Sequence, residues 1–236
     1  MSRRNDMSAA DARLAQIKLA RRVVAEAIGT ALLLAVVVGS GIMAQGLFPD
    51  SVGLALLANA LATGGGLVAL ILTFGDVSGA HFNPVVTIVD AAWGNRPWSD
   101  VGPYIAAQII GGIVGVFATH VMFDHQVFEL STKVRSGAPL MFSEFVATFG
   151  LVAVIGGVAR KRGAMVPFAV AAYIVAAYWF TPSTSFANPA VTIARSLTES
   201  FAGIRPADVP GFIVAQLVGG AIAALLFRWL HQEMHE

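Results

Sequence analysis

The residues best placed to do chemistry in this chain are two Asn-Pro pairs far apart in the sequence. Asn83-Pro84-Val85 and Asn188-Pro189-Ala190 are both followed by Val-Thr-Ile. Asparagine is a preferred helix N-cap, and proline suits the first helical position because its missing N–H would have no intrahelical partner there. Each pair therefore predicts the first turn of a helix with free N–H groups.

The two pairs belong to an internal duplication. Glu26, with a threonine four residues later, recurs in the second half as Glu144, again with a threonine four residues later. The run Ala-Gln-x-x-Gly-Gly also occurs twice, at 107–112 and 215–220, so the shared motifs keep one order in both halves. Each half is therefore expected to be one structural unit.

Composition places these units in a membrane. The chain is 56% hydrophobic and 12% charged, whereas a soluble domain carries about 25% charged residues. A helix needs about 20 apolar residues to cross the hydrocarbon core of a bilayer. Six segments meet that length, at 23–46, 52–74, 100–123, 141–159, 164–181 and 209–229.

Three spans fall in each half, and an odd number means that the halves enter the membrane from opposite sides. This predicts an inverted repeat, with repeat one at about 23–123 and repeat two at about 141–230 of a membrane domain at 23–230. Most lysines and arginines lie on the side that holds both chain ends. We therefore expect a multi-pass protein of the cell membrane with cytoplasmic tails at 1–22 and 231–236.

Two short segments do not fit a six-span plan. After each Asn-Pro pair the composition stays helical over 84–93 and 189–198, and such a segment reaches about 15 Å, half a bilayer. Two re-entrant half-helices would meet N-terminus to N-terminus near the midplane, each presenting about +0.5 of an elementary charge. A cation would meet a barrier there, while an uncharged hydroxylated solute would find Asn amides and backbone carbonyls to replace its hydration shell. The pattern predicts a pore for neutral molecules.

Three motifs resemble those of the major intrinsic proteins, the aquaporins and aquaglyceroporins. They are the paired Asn-Pro boxes, the stretch Ser-Gly-Ala-His-Phe-Asn-Pro at 78–84, and Glu-x-x-x-Thr in spans one and four. The resemblance covers about residues 21–230, although the first box ends in Val85 instead of alanine. It implies six tilted helices and two half-helices around one pore per subunit, a homotetramer, and passive conduction of small neutral solutes and water.

The chain departs from the family pattern most at Val191, where most members have an arginine. Counting back without gaps from each asparagine puts the other positions of the family's selectivity filter at Thr63, Ser185 and Ala176 or its neighbour Ala177. None is bulky or charged, which implies a wide pore for glycerol, urea and other solutes larger than water. One gap between Ala176 and Asn188 would instead move Tyr178 toward the constriction and narrow the pore. The stretch around the second box resembles a bacterial branch associated with arsenic resistance, which implies arsenous acid as a solute. A water-selective pore is the alternative.

The two carboxylates inside the predicted spans have two interpretations. The family resemblance implies that Glu26 and Glu144 accept hydrogen bonds from the re-entrant loops. We call this support of each loop by a carboxylate a buttress. Thr30 and Thr148 lie one helical turn later on the same helix faces and would take part in the buttresses. A proton or ion relay is the alternative for carboxylates at this depth.

Arg195 and His81 also have two interpretations each. Arg195 follows Asn188 by about two helical turns, where it could replace the missing arginine at an outer vestibule or be a surface charge near the half-helix C-terminus. His81 could gate the pore with pH or bind a metal. No other histidine lies near it at helical spacing, so packing of the loop before the first box is the expectation.

The sequence argues against an enzyme. It has no cysteine and no Ser-His-Asp order, phosphate-binding loop or metal-ligand spacing, so no cofactor, metal or nucleic acid is expected. An energy-coupled secondary transporter remains a competing class, because it also uses inverted repeats and broken helices. Such a transporter would show saturable, gradient-coupled transport, whereas flux through a channel is linear in solute concentration.

Overall fold

The computed structural model describes residues 17–230, in which every regular element is helical. Six long helices and two short ones occur in the order α1 Leu19–Leu47, α2 Val52–Ser78, α3 Pro84–Ala92, α4 Val101–Met122, α5 Ala138–Arg162, α6 Val166–Phe180, α7 Pro189–Arg195 and α8 Val209–Leu230. The predicted tail at 231–236 and residues 1–16 of the predicted N-terminal tail lie outside the described residues.

The six predicted spans correspond to the six long helices. Within the described chain, five segments are long and apolar enough to cross a membrane, because Ala138–Phe180 counts as one 43-residue segment. A 3-10 turn at Gly163–Met165 divides it into α5, of 25 residues, and α6, of 15. α1 begins at Leu19, so the end of the tail predicted at 1–22 is helical. The all-α membrane fold with two half-helices is confirmed.

The half-helices α3 and α7 begin at the two Asn-Pro pairs, as predicted. Asn83 Oδ1 accepts the N–H of Val85 at 2.9 Å. Asn188 Oδ1 accepts the N–H groups of Ala190 and Val191 at 3.0 and 3.2 Å. Each asparagine therefore satisfies N–H groups of the first helical turn that have no partner within the helix.

The two half-helices differ at their C-terminal ends. α3 ends at Ala92, close to the predicted boundary at 93. α7 ends at Arg195 instead of 198, so the second boundary was predicted too late. The reason is that the chain folds back after α7, where Ile204 N donates to Arg195 O at 3.3 Å.

Glycines bring the long helices of each repeat into close contact. A Cβ atom on Gly111 of α4 would lie 2.2 Å from Ala27 O of α1, and one on Gly219 of α8 would lie 2.4 Å from Phe145 O of α5. Only glycine fits at such a distance, as is common where helices pack within membranes. These contacts use equivalent positions of the two Ala-Gln-x-x-Gly-Gly runs, so both repeats pack in the same way.

Candidate functional site

The two asparagines hold the half-helices together at the centre of the molecule. Asn83 Nδ2 donates to Ala187 O and Asn188 Nδ2 donates to Phe82 O, both at 2.8 Å. Each amide therefore bonds the residue that precedes the other asparagine. Because an Asn NH2 group has two hydrogens, each retains one donor for a solute.

The loops that precede the asparagines are unwound and share an unusual backbone conformation. Ala80 and Phe82 have φ values of 48° and 49°, and Ser185 and Ala187 have φ values of 49° and 48°. These left-handed conformations cost about 1–3 kcal/mol each for residues other than glycine, so the surrounding structure must hold them in place.

Two buried carboxylates supply that support. Glu26 accepts the N–H groups of His81 and Phe82 at 3.0 and 2.7 Å and the hydroxyl of Ser78 at 2.6 Å. Each of these bonds involves an ionised acceptor and is therefore stronger than a neutral one. The arrangement fits the buttress interpretation for the first loop.

Glu144 occupies the equivalent place in the second repeat. It accepts the N–H groups of Phe186 and Ala187 at 2.9 and 2.8 Å. Neither glutamate forms an ion pair with another described residue. Each carboxylate thus accepts two backbone N–H groups of its loop, which favours loop support over a proton relay.

Two glutamines complete the buttresses and were missed from the sequence. Gln108 Nε2 donates to Glu26 at 2.8 Å and to the Thr87 hydroxyl at 2.9 Å. Gln216 Nε2 makes the equivalent bonds to Glu144 at 2.7 Å and to a threonine of α7 at 2.9 Å. The sequence did contain a signal for these glutamines, because each belongs to one of the two Ala-Gln-x-x-Gly-Gly runs.

Thr30 and Thr148 do not reach the carboxylates, so their predicted place in the buttresses is wrong. The Thr30 hydroxyl donates to the backbone carbonyl of Glu26 one turn earlier, at 2.7 Å. The buried Thr148 hydroxyl has no hydrogen-bond partner in the described part of the chain. A shared helix face was too coarse a criterion, because it does not say which way the hydroxyl points.

A cavity of about 240 Å3 passes both asparagines. Its walls are largely apolar, with contributions from Leu33, Val37, Leu67, Val86, Leu151 and Ile174. We call its two ends the first mouth, lined by His81, Asp90 and Arg96, and the second mouth, lined by Ser185, Phe186 and Arg195. Each mouth lies beside the C-terminal end of one half-helix.

The structure brings three of the four predicted filter residues to the cavity. Thr63, Ser185 and Val191 line it, whereas Ala176 is exposed on the outside of α6 and does not. Tyr178 lies at the cavity instead, with its hydroxyl 3.2 Å from Thr63 Oγ1. The count without gaps from Asn188 therefore selected the wrong face of α6, and the actual lining residue is bulky.

Arg195 is not a surface charge. Its side chain is 2% exposed, its guanidinium carbon lies 3.4 Å above the centre of the Phe186 ring, and its Nε donates to Ala202 O. It also lines the cavity. The surface interpretation is therefore wrong, because the segment after α7 folds over the arginine.

His81 is tied into the first mouth. His81 Nδ1 lies 3.1 Å from Thr87 Oγ1, and that hydroxyl also lies 3.1 Å from Asn83 O. The other ring nitrogen lies 3.4 Å from Asp90. Among the described residues no group of histidines and carboxylates could hold a metal, and the contacts fit a loop-packing role.

Two cations outside the membrane spans lie behind the second mouth. Arg135 donates to Ser183 O at 3.0 Å and to Gly203 O at 2.8 Å, and Lys133 Nζ donates to Phe201 O at 2.6 Å. Burial, followed by the charges of Arg135 and Arg195, lowers the pKa of Lys133 to about 8. Burial also lowers the pKa of Arg135 to about 10.

Comparison with known proteins agrees with this geometry. The family model described as major intrinsic protein matches residues 13–180. An aquaglyceroporin of Rhizobium meliloti is 52% identical over 217 residues, which is 92% of this chain and 93% of that protein. Aquaporin Z of Bradyrhizobium diazoefficiens is 31% identical over 90% of this chain and 94% of its own length.

A crystal structure of the aquaglyceroporin from Plasmodium falciparum has the same fold. It superposes with a TM-score of 0.73 at 19% identity and covers 92% of this chain and 98% of that one. Its low identity supports the fold alone, whereas the closer relatives and the family model extend the likeness to the sequence. This chain belongs to the major intrinsic protein family, as an integral membrane protein that forms a passive channel for small neutral solutes and water and is not an enzyme.

Proposed function

We propose that this channel conducts uncharged solutes larger than water, such as glycerol, urea and arsenous acid, together with water. The observation that supports this most is the composition of the cavity. The free amide hydrogens of Asn83 and Asn188 and the hydroxyls of Thr63 and Tyr178 face a largely apolar wall. A polyol has hydroxyls that can bond these amide and hydroxyl groups, and C–H groups that can contact the apolar wall.

Val191 supports a solute larger than water. Its short side chain leaves the space that a guanidinium occupies in most of the family, and the cavity continues past it to Arg195. Tyr178 offsets part of that gain in width, so the pore is narrower than four small filter residues would make it. The 52% identical relative is named an aquaglyceroporin, which is consistent with this solute class.

We also infer a homotetramer in the cell membrane, with the first mouth on the cytoplasmic side. The long helices expose many apolar side chains, among them Val214 and Leu225 of α8, that need lipid or another subunit as a partner. The last turn of α5 is basic, with Arg160, Lys161 and Arg162, and it lies on the same side as the first mouth, which favours that orientation. Cross-linking in native membranes tests the tetramer, and labelling of single engineered cysteines tests the orientation.

Vesicle swelling tests the solute class. Stopped-flow light scattering of proteoliposomes with water, glycerol, urea and arsenous acid should show fast flux that is linear in concentration. Saturable or gradient-coupled flux would indicate a secondary transporter, and flux of water alone would indicate a water-selective pore.

Val191→Arg tests the filter assignment. It should suppress glycerol flux more than water flux, because a guanidinium fills the space beside Thr63 and Tyr178. Val191→Met adds length without charge and is the matched control, expected to reduce glycerol flux less. Unchanged glycerol flux in Val191→Arg would contradict the filter assignment.

A further inference from the structure

The inverted repeat places opposite charges at equivalent positions of the two mouths. Asp90 and Arg195 each follow their box asparagine by seven residues, and His81 and Phe186 each precede it by two. Both pairs are in contact, since His81 Nε2 lies 3.4 Å from Asp90 and the Arg195 guanidinium lies 3.4 Å above the Phe186 ring. One geometry therefore presents a carboxylate at the first mouth and a guanidinium at the second.

The first mouth pairs each of its guanidinium groups with a carboxylate. Its charged groups are three carboxylates and two guanidinium groups, namely Glu26, Asp90, Asp100, Arg22 and Arg96. Arg96 Nε lies 3.2 Å from Asp90, and Arg22 bonds Asp100 at 2.6 Å. Both arginines thus have a carboxylate partner, although Arg96 Nη1, 3.9 Å from Asp100, makes no hydrogen bond within the described residues.

The second mouth carries an excess of cations. Its charged groups are four cations and three carboxylates, namely Lys133, Arg135, Arg195, Arg205, Glu144, Glu199 and Asp208. Asp208 pairs with Arg205 at 2.8 Å, and Glu199 bonds the Thr132 hydroxyl at 3.0 Å. Within residues 17–230, Arg195 forms no ion pair. The C-terminal dipole of α7 offsets at most about half of its charge.

The second mouth also holds hydrogen-bond donors that the described protein does not use. Arg195 donates from Nε to Ala202 O, and within residues 17–230 its two terminal nitrogens make no hydrogen bond. These nitrogens are not fully buried, and Arg195 lines the cavity. The Ser185 hydroxyl, in a side chain 3% exposed that also lines the cavity, is buried and has no hydrogen-bond partner in that part of the chain. A guanidinium with two unused nitrogens and a free hydroxyl on the same cavity are donors without an acceptor.

We propose that the second mouth is a binding site for a small monovalent oxyanion, such as a carboxylate or nitrate, held by Arg195 with Ser185 as a second donor. The planar guanidinium can bond two oxygens of such an anion at once, and the largely apolar wall lowers the local dielectric constant, which strengthens the attraction between the charges. An anion held there obstructs the neutral solute, so it acts as a blocker of flux. The equivalent position at the first mouth is Asp90, which repels anions. The inference adds a site to the proposed channel and can be tested without any flux.

The flux experiment compares anions at constant ionic strength. Glycerol flux into proteoliposomes is measured in buffered sodium chloride, sodium formate and sodium nitrate, and each value is normalised to the same variant in chloride. Formate and nitrate at about 100 mM should each lower wild-type flux about two-fold, as expected for a site that is half occupied at that concentration, with a dissociation constant of about 100 mM. Arg195→Gln should lose this sensitivity, and Arg195→Lys should keep part of it. Asp90→Asn, at the equivalent position of the first repeat, is the matched control and should keep all of it.

A binding experiment separates this proposal from the proposed conduction. Line broadening of carbon-13 formate is recorded with detergent-solubilised wild type, Arg195→Gln and Asp90→Asn, each shown by gel filtration to be folded. Broadening in wild type and Asp90→Asn that disappears in Arg195→Gln supports the site even if glycerol does not permeate. Equal broadening in all three proteins, or wild-type glycerol flux that is the same in formate, nitrate and chloride, overturns it.

Discussion

The two mouths of the pore share a backbone scaffold and differ in charge. In both, a buried glutamate and a glutamine hold an unwound loop, and a guanidinium donates to the carbonyl of the equivalent serine. Arg96 does so to Ser78 at 2.9 Å, and Arg135 to Ser183 at 3.0 Å. The side chains that line the mouths differ, with His81 and Asp90 on one side and Phe186 and Arg195 on the other. Duplication thus preserved the parts that shape the pore, while the residues that line its two mouths diverged.

The difference shows where electrostatic selectivity resides in this chain. The half-helix N-termini present partial positive charges from both sides, so they oppose cations symmetrically. The mouths add an asymmetric field, because one has paired charges and the other has an unpaired guanidinium. Losing the usual arginine at Val191 therefore did not remove the cation from this side of the pore. Arg195 lies one helical turn further along the same half-helix.

Replacing one of the two buried glutamates should have the largest effect on stability and flux. It would remove from one mouth the loop support that both mouths share. In Glu26→Gln an NH2 group faces backbone donors, and each lost charge-assisted hydrogen bond costs about 1.5–3 kcal/mol. Glu26 accepts four such bonds and Glu144 three. We expect a lower melting temperature and lost glycerol flux in both variants, with the greater loss for Glu26→Gln.

The control for this comparison is Glu129→Gln, at a half-buried side chain whose contact is a weak one with His125 at 4.0 Å. It should melt like wild type. Melting is followed by gel filtration of detergent-solubilised protein after heating. A Glu144→Gln protein as stable as wild type would show that the second loop does not depend on its carboxylate.

Changing Tyr178 should have an intermediate effect, on selectivity instead of folding. Tyr178→Ala removes the ring beside Thr63 and restores the small filter that the sequence predicted, so the ratio of urea or glycerol flux to water flux should rise several-fold. The matched control is Ala176→Tyr, which adds a ring on the outer face of α6 and should leave that ratio unchanged. If Ala176→Tyr narrows the pore and Tyr178→Ala does not widen it, the assignment of the lining face of α6 is wrong.

The pH dependence of the second mouth should be the smallest effect and would sharpen the contrast in charge. The pKa of Lys133 is about 8, below its ordinary value of 10.5, because burial disfavours the charged form. Lys133 faces Arg135, Arg195 and Glu199. As pH rises from about 7 to about 9 the lysine loses its charge, the local field weakens, and nitrate should inhibit glycerol flux less.

Lys133→Arg should remove this dependence, because arginine stays charged over the same range. The linkage to stability has the same origin. Between about pH 8 and 10.5 the unfolded chain binds more protons at Lys133 than the folded one, so this residue contributes more stability as pH rises. Nitrate inhibition measured at pH 7 and 9 in wild type and Lys133→Arg tests the assignment. An equal change in both proteins would assign the titration to another group.

Much of the site could be predicted because duplication repeats the signal. The Asn-Pro pairs identify the two box asparagines. The two carboxylates are identified because each occurs with a threonine four residues later and in the same order in both halves. Tyr178 was predicted only for a sequence with one gap, because each residue turns a helix by about 100°. A count without gaps therefore selects another face of α6 when the chain between α6 and the second box differs in length. The threonines next to Glu26 and Glu144 were assigned wrongly because a shared helix face does not set the direction of a hydroxyl.

The sequence by itself determined the membrane class, the inverted repeat, the starts of the half-helices and the absence of arginine at Val191. These follow from hydropathy, repetition and capping, which are local properties of the chain. Only the tertiary structure decided that Arg195 belongs to the pore and that the two mouths differ in net charge. The physical reason is that both depend on how the segment after α7 folds back over the arginine and on which carboxylates lie within bonding distance. Such contacts join residues far apart in the chain.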